Sequence, residues 1–427
     1  MKSEIYAALQ ITKKEIRFIV GKYRPNFGLK VIYKENTVQK GMSWLNDKDE
    51  VKDVNLVSHR VKKMINNFET TFKQKLENII SVLPTKTLKI KDANPSIFDN
   101  SRDRRVVSRD DIAKLANEAK KANYEENRSI VQNKVLYYVI NEMSKSYKAP
   151  LGELVNSLSM VSKLYTIENA VIKSHNEVIK QANKEVLSTM LENYSLAKQV
   201  INQEEFGKTN ALVNWDNEKV NIGFYSEGVL IRDLQIDFGV DDIINKVASK
   251  LNCKKDVCKK YLNSFINFSN DEFNNEVIYR KYVTANKQTL ELTLAQLKEI
   301  FKAEINEIIY KIDNQIIKFF KNVNKSFKVF YTGEATEIAG FENLLSVSDL
   351  QNQSYIYFSR IFGAKEMWTI TLAGAVKNLH KINKTKVNFK TSVETINKEA
   401  PIMVPKRKSF FSWNNNKETT YNNAYGN

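Results

Sequence analysis

Apolar and polar residues alternate at two widely separated places in the chain, each with a short polar reversal at its centre. Leu9 and Ile11, then Ile16, Phe18 and Val20, flank Thr12-Lys13-Lys14-Glu15. Leu212 and Trp215, then Val220, Ile222 and Phe224, flank Asp216-Asn217. A period of two on either side of residues that tolerate a tight turn predicts a β-hairpin at each place. Behind the first hairpin, Val54, Val57, Val61, Ile65 and Phe68 recur at helical spacing, and Ile79-Ile80-Val82 resume a strand. Two hairpins heading two halves of one chain predict a duplicated α/β architecture.

Other segments fill in this plan. Ser108-Arg-Asp-Asp111 reads as a capping box ahead of Ile112, Leu115 and Ala119, because the first side chain and the acid three residues on can each cap the other's N–H. Val135–Ile140 reads as a strand, Glu168–Gln181 as a helix and Val186–Leu191 as a strand. Thr293-Leu-Ala-Gln296 is a second capping box, opening a long amphipathic helix through Leu297, Phe301, Ile305, Ile308, Ile312, Ile316 and Phe319. These patterns divide the chain into a first lobe of residues 1–83 and 164–205, an inserted small α+β domain at 84–163, and a second lobe at 206–384. Periodicity then fades, and 385–427 reads as a flexible linker and tail.

Composition narrows the function. With 427 residues, 42% hydrophobic, there is material for more than one core. No run of eighteen apolar residues occurs, and Met1-Lys-Ser-Glu-Ile-Tyr6 runs straight into a strand pattern, so the expectation is a cytoplasmic protein. Two cysteines, Cys253 and Cys258, and three scattered histidines, His59, His175 and His380, give no zinc spacing, so no metal is expected. No Gly-x-Ser-x-Gly elbow appears. A net charge of +17 favours anionic partners, but no RNA- or DNA-binding signature accompanies it, and no specific nucleic acid is expected.

The order of these parts resembles the actin-like family of the bacterial cell-division protein FtsA over roughly residues 5–383. The inserted domain lies where that family carries one. Leu9-Gln-Ile-Thr12 with Ile19-Val-Gly21 resembles its first phosphate hairpin, and Gln39-Lys-Gly-Met42 its basic turn. Asp237-Phe-Gly239 resembles the glycine after the second hairpin, Tyr331-Thr-Gly333 the adenosine loop and Thr371–Leu379 the closing helix. The resemblance implies an α/β, actin-like (ribonuclease H-like) two-lobed fold, with the outer part of the second lobe at about 240–290.

In that family ATP phosphates lie between two glycine-bearing turns whose N–H groups face them, and carboxylates hold Mg²⁺ through water. The implied nucleotide residues are Gln10, Thr12, Lys13, Asn214, Asp216, Asn217, Gly239, Thr332, Gly333 and Glu334. Their chemistry has changed: Gln10, Asn214 and Asn221 stand where carboxylates are usual, the phosphate-turn glycines are gone, and Glu334 replaces a second glycine. Each lost charge-assisted contact removes about 1.5–3 kcal/mol, so Mg-ATP is expected to bind weakly and no catalytic residue is assigned. The resemblance further implies a scaffold that self-associates into filaments and binds the C-terminal peptide of the tubulin-like protein FtsZ. The peptide would meet a basic face containing Lys246, Lys250, Lys254, Lys255, Lys259, Lys260, Arg280 and Lys281. Lys406, Arg407, Lys408, Phe410, Phe411 and Trp413 occupy the place of the family's membrane-binding segment, where cations and rings suit an anionic membrane surface. That places the protein on the inner face of the cell membrane at the division site. Two alternatives stay open: an active actin-fold ATPase of the sugar-kinase or chaperone class, and a basic nucleic-acid-binding protein.

Overall fold

The first strand, β1 (Glu4–Ile11), is apolar on both faces: Ile5, Ala7, Leu9 and Ile11 enter one core, Tyr6 and Ala8 another. Such a strand belongs inside a sheet covered on both sides. The computed structural model, which describes residues 3–24, 27–38, 41–97, 104–122, 125–270, 274–283, 288–321, 326–386 and 388–397, places it there. Strands β1, β2 (Glu15–Arg24) and β3 (Gly28–Val38) form an antiparallel meander. Helix α1 (Val54–Phe72) starts where Asp53 Oδ1 accepts from Leu56 N at 2.8 Å, and lays its predicted stripe on the meander. Strand β4 (Asn78–Leu83) then runs parallel to β1.

The chain next leaves the sheet to build β5 (Lys89–Ala93), β6 (Ser96–Ile97), β7 (Arg105–Val106), α2 (Arg109–Ala122), β8 (Arg128–Ile140), β9 (Ser144–Ser146), β10 (Leu154–Val155) and β11 (Leu158–Glu168). Val107, Leu115, Val155 and Met160 form a core of their own there. Helix α2 opens on the expected capping box, with Ser108 N donating to Asp111 Oδ2 at 2.9 Å and Asp111 N to Ser108 Oγ at 3.2 Å. The insert ends at Glu168, five residues later than expected, because β11 pairs with β8 along its whole length. Helix α3 (Asn169–Gln181) and β12 (Glu185–Leu191) complete a sheet ordered β12-β4-β1-β2-β3.

After α4 (Glu192–Val200) and α5 (Gln203–Phe206), the second lobe repeats the plan with β13 (Thr209–Trp215), β14 (Val220–Ser226) and β15 (Val229–Ile236). Its outer part comprises α6 (Val240–Lys250), α7 (Lys255–Ser264) and the pair β16 (Val277–Val283) and β17 (Gln288–Thr293). Helix α8 (Leu294–Phe320) begins on the reciprocal Thr293–Gln296 cap and carries the longest apolar stripe. Then come β18 (Phe327–Thr332), α9 (Phe341–Leu344), β19 (Ser354–Ile356) and α10 (Ile370–Asn383). The sheet order β15-β14-β13-β18-β19 matches the first lobe strand for strand.

Helices α4 and α10 follow the fifth strand of their respective lobes and cross each other at the junction. The crossing needs Gly374, since a Cβ there would collide with Ser195 O. The expected linker from residue 385 starts later than predicted. Strands β20 (Asn388–Lys390) and β21 (Thr395–Asn397) form a hairpin docked on the first lobe. Ser392, fully buried, donates from N to Ile5 O at 2.9 Å, and its Oγ accepts from Ala7 N at 2.7 Å. Backbone and hydroxyl groups hold this hairpin together with the apolar side chains of Phe389 and Val393, too few for a hydrophobic period to signal it. Lys406, Arg407, Lys408, Phe410, Phe411 and Trp413 lie outside the described residues.

Candidate functional site

Because each lobe is headed by its hairpin, the fold brings the two reversals face to face. Lys13 N on the first donates to Glu218 Oε2 on the second at 3.2 Å. Beneath them lies Arg17 of β2, whose strand is buried on both sides, so its guanidinium has no route to water. It forms a bidentate pair with Asp216, Nη1 to Oδ2 at 2.9 Å and Nη2 to Oδ1 at 3.0 Å. Nε donates to Glu15 Oε2 at 2.7 Å, and Glu334 Oε1 lies 3.5 Å from Nη2. The N–H of Asn217 is shared by Asp216 Oδ1 at 2.8 Å and Glu334 Oε2 at 3.1 Å.

A second cluster adjoins the first. Glu192, at the start of α4, accepts from Gln10 Nε2 at 3.0 Å, from Lys219 Nζ at 2.8 Å and from Asn221 Nδ2. At the rim, Lys14 pairs with Asp241, which also lies 3.3 Å from Lys255, and Lys86 pairs with Asp237 at 3.0 Å. Arg17–Asp216, Glu192–Lys219 and Lys14–Asp241 each join one lobe to the other.

Burial by itself would lower the Arg17 pKa; Asp216, Glu15 and Glu334 outweigh it and raise it. Burial would raise that of Asp216, and Arg17 wins, holding it below the carboxylate range. Glu334 goes the other way, pushed up by burial and by Asp216, so it keeps its proton and shares it with Asp216. Burial, followed by the repulsion of Asp216, lifts Glu218 to about 7. One arginine and one retained proton thus offset two of the three acids around it, and the cluster keeps a net negative charge.

Two glycines let the backbone close around this network. Gly239 caps α6 against the second reversal, where a Cβ would collide with Asn217 O; Val240 N and Asp241 N then donate to Asp216 O and Asn217 O at 3.2 and 2.9 Å. Gly333, at φ +96°, lies where a Cβ would sit 2.5 Å from Trp215 O and 2.7 Å from Asn214 Oδ1. Thr332 is fully buried beside Met367, and Thr12 Oγ1 accepts from Glu15 N at 3.0 Å within its own turn. All ten residues picked from the sequence therefore belong to one region. Several donors here are already used: the N–H groups of Lys13 and Asn217 meet the protein's own carboxylates, and Lys14 and Lys219 are bound to Asp241 and Glu192. A triphosphate with Mg²⁺ fits these residues poorly, since it would meet Asp216, Glu218 and Glu334 while, of Lys13, Lys14, Arg17 and Lys219, only the Lys13 ammonium has no acid partner among the described residues. A cavity of about 320 Å³ remains alongside, bordered by Asn217, Glu334, Ile244, Lys259 and Ile338.

Sequence reasoning missed Arg17, Glu15 and Glu192. The available signal was Arg17 itself, the one cation inside Glu15-Ile-Arg-Phe-Ile-Val20, where a mostly apolar strand demands that a cation be partnered.

No protein-family model matches the sequence, and no curated protein matches it. Solved structures do. The chain is similar to the PilM-PilN type IV pilus biogenesis complex, at 8% identity over 88% of this chain and 98% of that one, with a TM-score of 0.56. It is also similar to MreB 5 of Spiroplasma citri bound to AMPPNP, at 11% identity over 90% of this chain and 98% of that one, with a TM-score of 0.50. The class is thereby defined: this is an actin-like, two-lobed α/β fold. Within that class the chain is an actin-fold protein whose interlobe cleft is bridged by its own ion pairs.

Proposed function

We propose that this protein is a non-catalytic, FtsA-like scaffold that self-associates and tethers FtsZ filaments to the inner face of the cell membrane at the division site. The observation that carries the non-catalytic part is the Arg17–Asp216–Glu334 network, which supplies from side chains the cross-lobe attraction that a nucleotide gives an ATPase of this fold. The lobes then hold together without ligand, and no hydrolytic cycle opens them. Support for the partner comes from the resemblance, from the insert between β4 and α3, and from the PilM-PilN complex as a precedent for a partner-binding protein of this fold.

Charge bookkeeping narrows the peptide face. Lys246 and Lys250 pair with Glu304, Lys255 with Asp241, and Arg280 with Glu291, while Lys281 donates to Asn252 O. Lys254, Lys259 and Lys260 around α7 have no ion pair among the described residues. An acidic peptide would therefore be recognised there. An FtsZ C-terminal peptide should bind the full chain and bind the K259E/K260E variant at least tenfold more weakly, as read by fluorescence anisotropy; equal affinity, or none for either, refutes the partner. Co-sedimentation with anionic vesicles should be lost in a chain ending at Asn397, which keeps the docked hairpin.

The second reading, an active ATPase, is favoured only by the cavity beside Asn217. Mg-ATP at a hundred times its Kd would stabilise an ATPase by about 2.7 kcal/mol; a thermal midpoint unmoved by millimolar Mg-ATP is expected here.

A further inference from the structure

The last turns of α4 and α10 converge on the side of the lobe junction opposite the hairpins, and they bring lysines together. Lys198, Lys377 and Lys381 border a recess of about 120 Å³ along with Gln203, Asn378 and Phe206. Lys198 Nζ sits 3.8 Å from the centre of the Phe206 ring and 4.9 Å from that of Tyr194. Lys134 of β8 approaches Lys198 from the inserted domain. Among the described residues none of these four lysines has an ion pair. Of the two acids on α5, Glu205 is taken by Lys208 at 3.0 Å and Lys328 at 3.1 Å, and Glu204 is exposed and pairs with none of the four lysines.

Lysines at helix C-termini are ordinarily explained by the negative end of the helix dipole. That accounts for one cation per helix pointing into water. It does not account for Lys198, laid over two rings with three other cations around it, where burial and then Lys134, Lys381 and Lys377 push its pKa down to about 7. Like charges gathered without a counter-charge raise the energy of the folded state, and a bound anion is the arrangement that removes the penalty.

We propose that this recess is a binding site for a phosphoryl group, held by Lys198, Lys377 and Lys381 with Lys134 adding charge from the inserted domain. A dianion with oxygens on every side suits three ammonium groups arriving from two helices, whereas one carboxylate would leave most of the positive charge unmet. The amides of Gln203 and Asn378 complete the rim. Because α4 closes the first lobe and α10 returns from the second, a bound phosphoryl group ties the two lobes together at their crossing.

The test is the thermal midpoint of the full chain, titrated in separate arms with inorganic phosphate, with phosphatidylglycerol vesicles and with an acidic peptide, at matched ionic strength in chloride. Phosphate at ten times its Kd should raise the midpoint by about 1–2 °C and should leave K198M/K381M unmoved. Methionine keeps the stem over Phe206, and K377Q/K381Q on the rim serves as a second variant should the first not fold. A rise with phosphate alone assigns a free anion, and a lysine-dependent rise with vesicles alone assigns a lipid headgroup; both uphold the phosphoryl site. No rise in either arm, an equal rise in native protein and both variants, or a lysine-dependent response to the acidic peptide only would overturn it.

Discussion

The two ends of helix α4 handle charge in opposite ways. At its N-terminus Glu192 is buried among Gln10, Lys219 and Asn221, in contact with a cleft where the charged groups answer one another across the lobes. At its C-terminus Lys198 sits among cations, with no acid paired to it among the described residues. Both ends obey the helix dipole, so the dipole is not what separates them. The difference is supply: the second hairpin delivers Asp216 and Glu218 and the turn after β18 delivers Glu334 to one end, while among the described residues no acid pairs with the lysines at the other. A fold built around a bound anion can satisfy that demand from within or leave it for a ligand, and this chain does each once.

The largest effect should come from breaking the supplied end. R17M strands Asp216 and Glu15 in a buried site, and chemical denaturation should show a loss of about 3–5 kcal/mol. R17M/D216N, which removes both partners, should recover a good part of it. A single variant as stable as the native chain would mean that the network contributes nothing across the lobes.

Next in size is a pH effect at the same end. Burial and Asp216 hold Glu218 at about 7, above its unfolded value, so the folded state holds that proton more tightly. Its stabilising contribution is present at low pH and is lost as pH rises through that window. E218Q keeps the acceptor for Lys13 N and should exceed the native chain by about 1–2 kcal/mol near pH 8, with the gap closing toward about pH 5. A gap that stays constant with pH would place the proton elsewhere.

The smallest effect sharpens the other end. K381E supplies the missing acid beside Lys198 and should stabilise the chain by less than about 1 kcal/mol, an amount that salt screens away. Destabilisation by K381E in low salt would show that the four lysines do not strain the fold.

Local signals carried much of the architecture. Both hairpins, the stripe on α1 and the Ser108 and Thr293 capping boxes were legible because each depends on residues a few positions apart. The cleft was legible only as a set of places. Its chemistry rests on Arg17 meeting Asp216 and Glu334 from the other lobe, and on Glu192 meeting Lys219, pairings that periodicity cannot express. In a strand pattern Arg17 occupies an apparently outward position; Asp216 and Glu334 of the second lobe close over it. The β20–β21 hairpin escaped for a related reason, since Thr391 and Ser392 are buried through hydrogen bonds instead of an apolar face.

That hairpin also decides where a load would fall. Ser392 is bonded to β1 through Ile5 and Ala7, and its carbonyl accepts from Glu77 N and Asn78 N at the entry to β4. A pull exerted on the chain beyond Asn397 therefore reaches β1 and the entry to β4, the central strands of the first lobe, through the hydrogen bonds of Ser392.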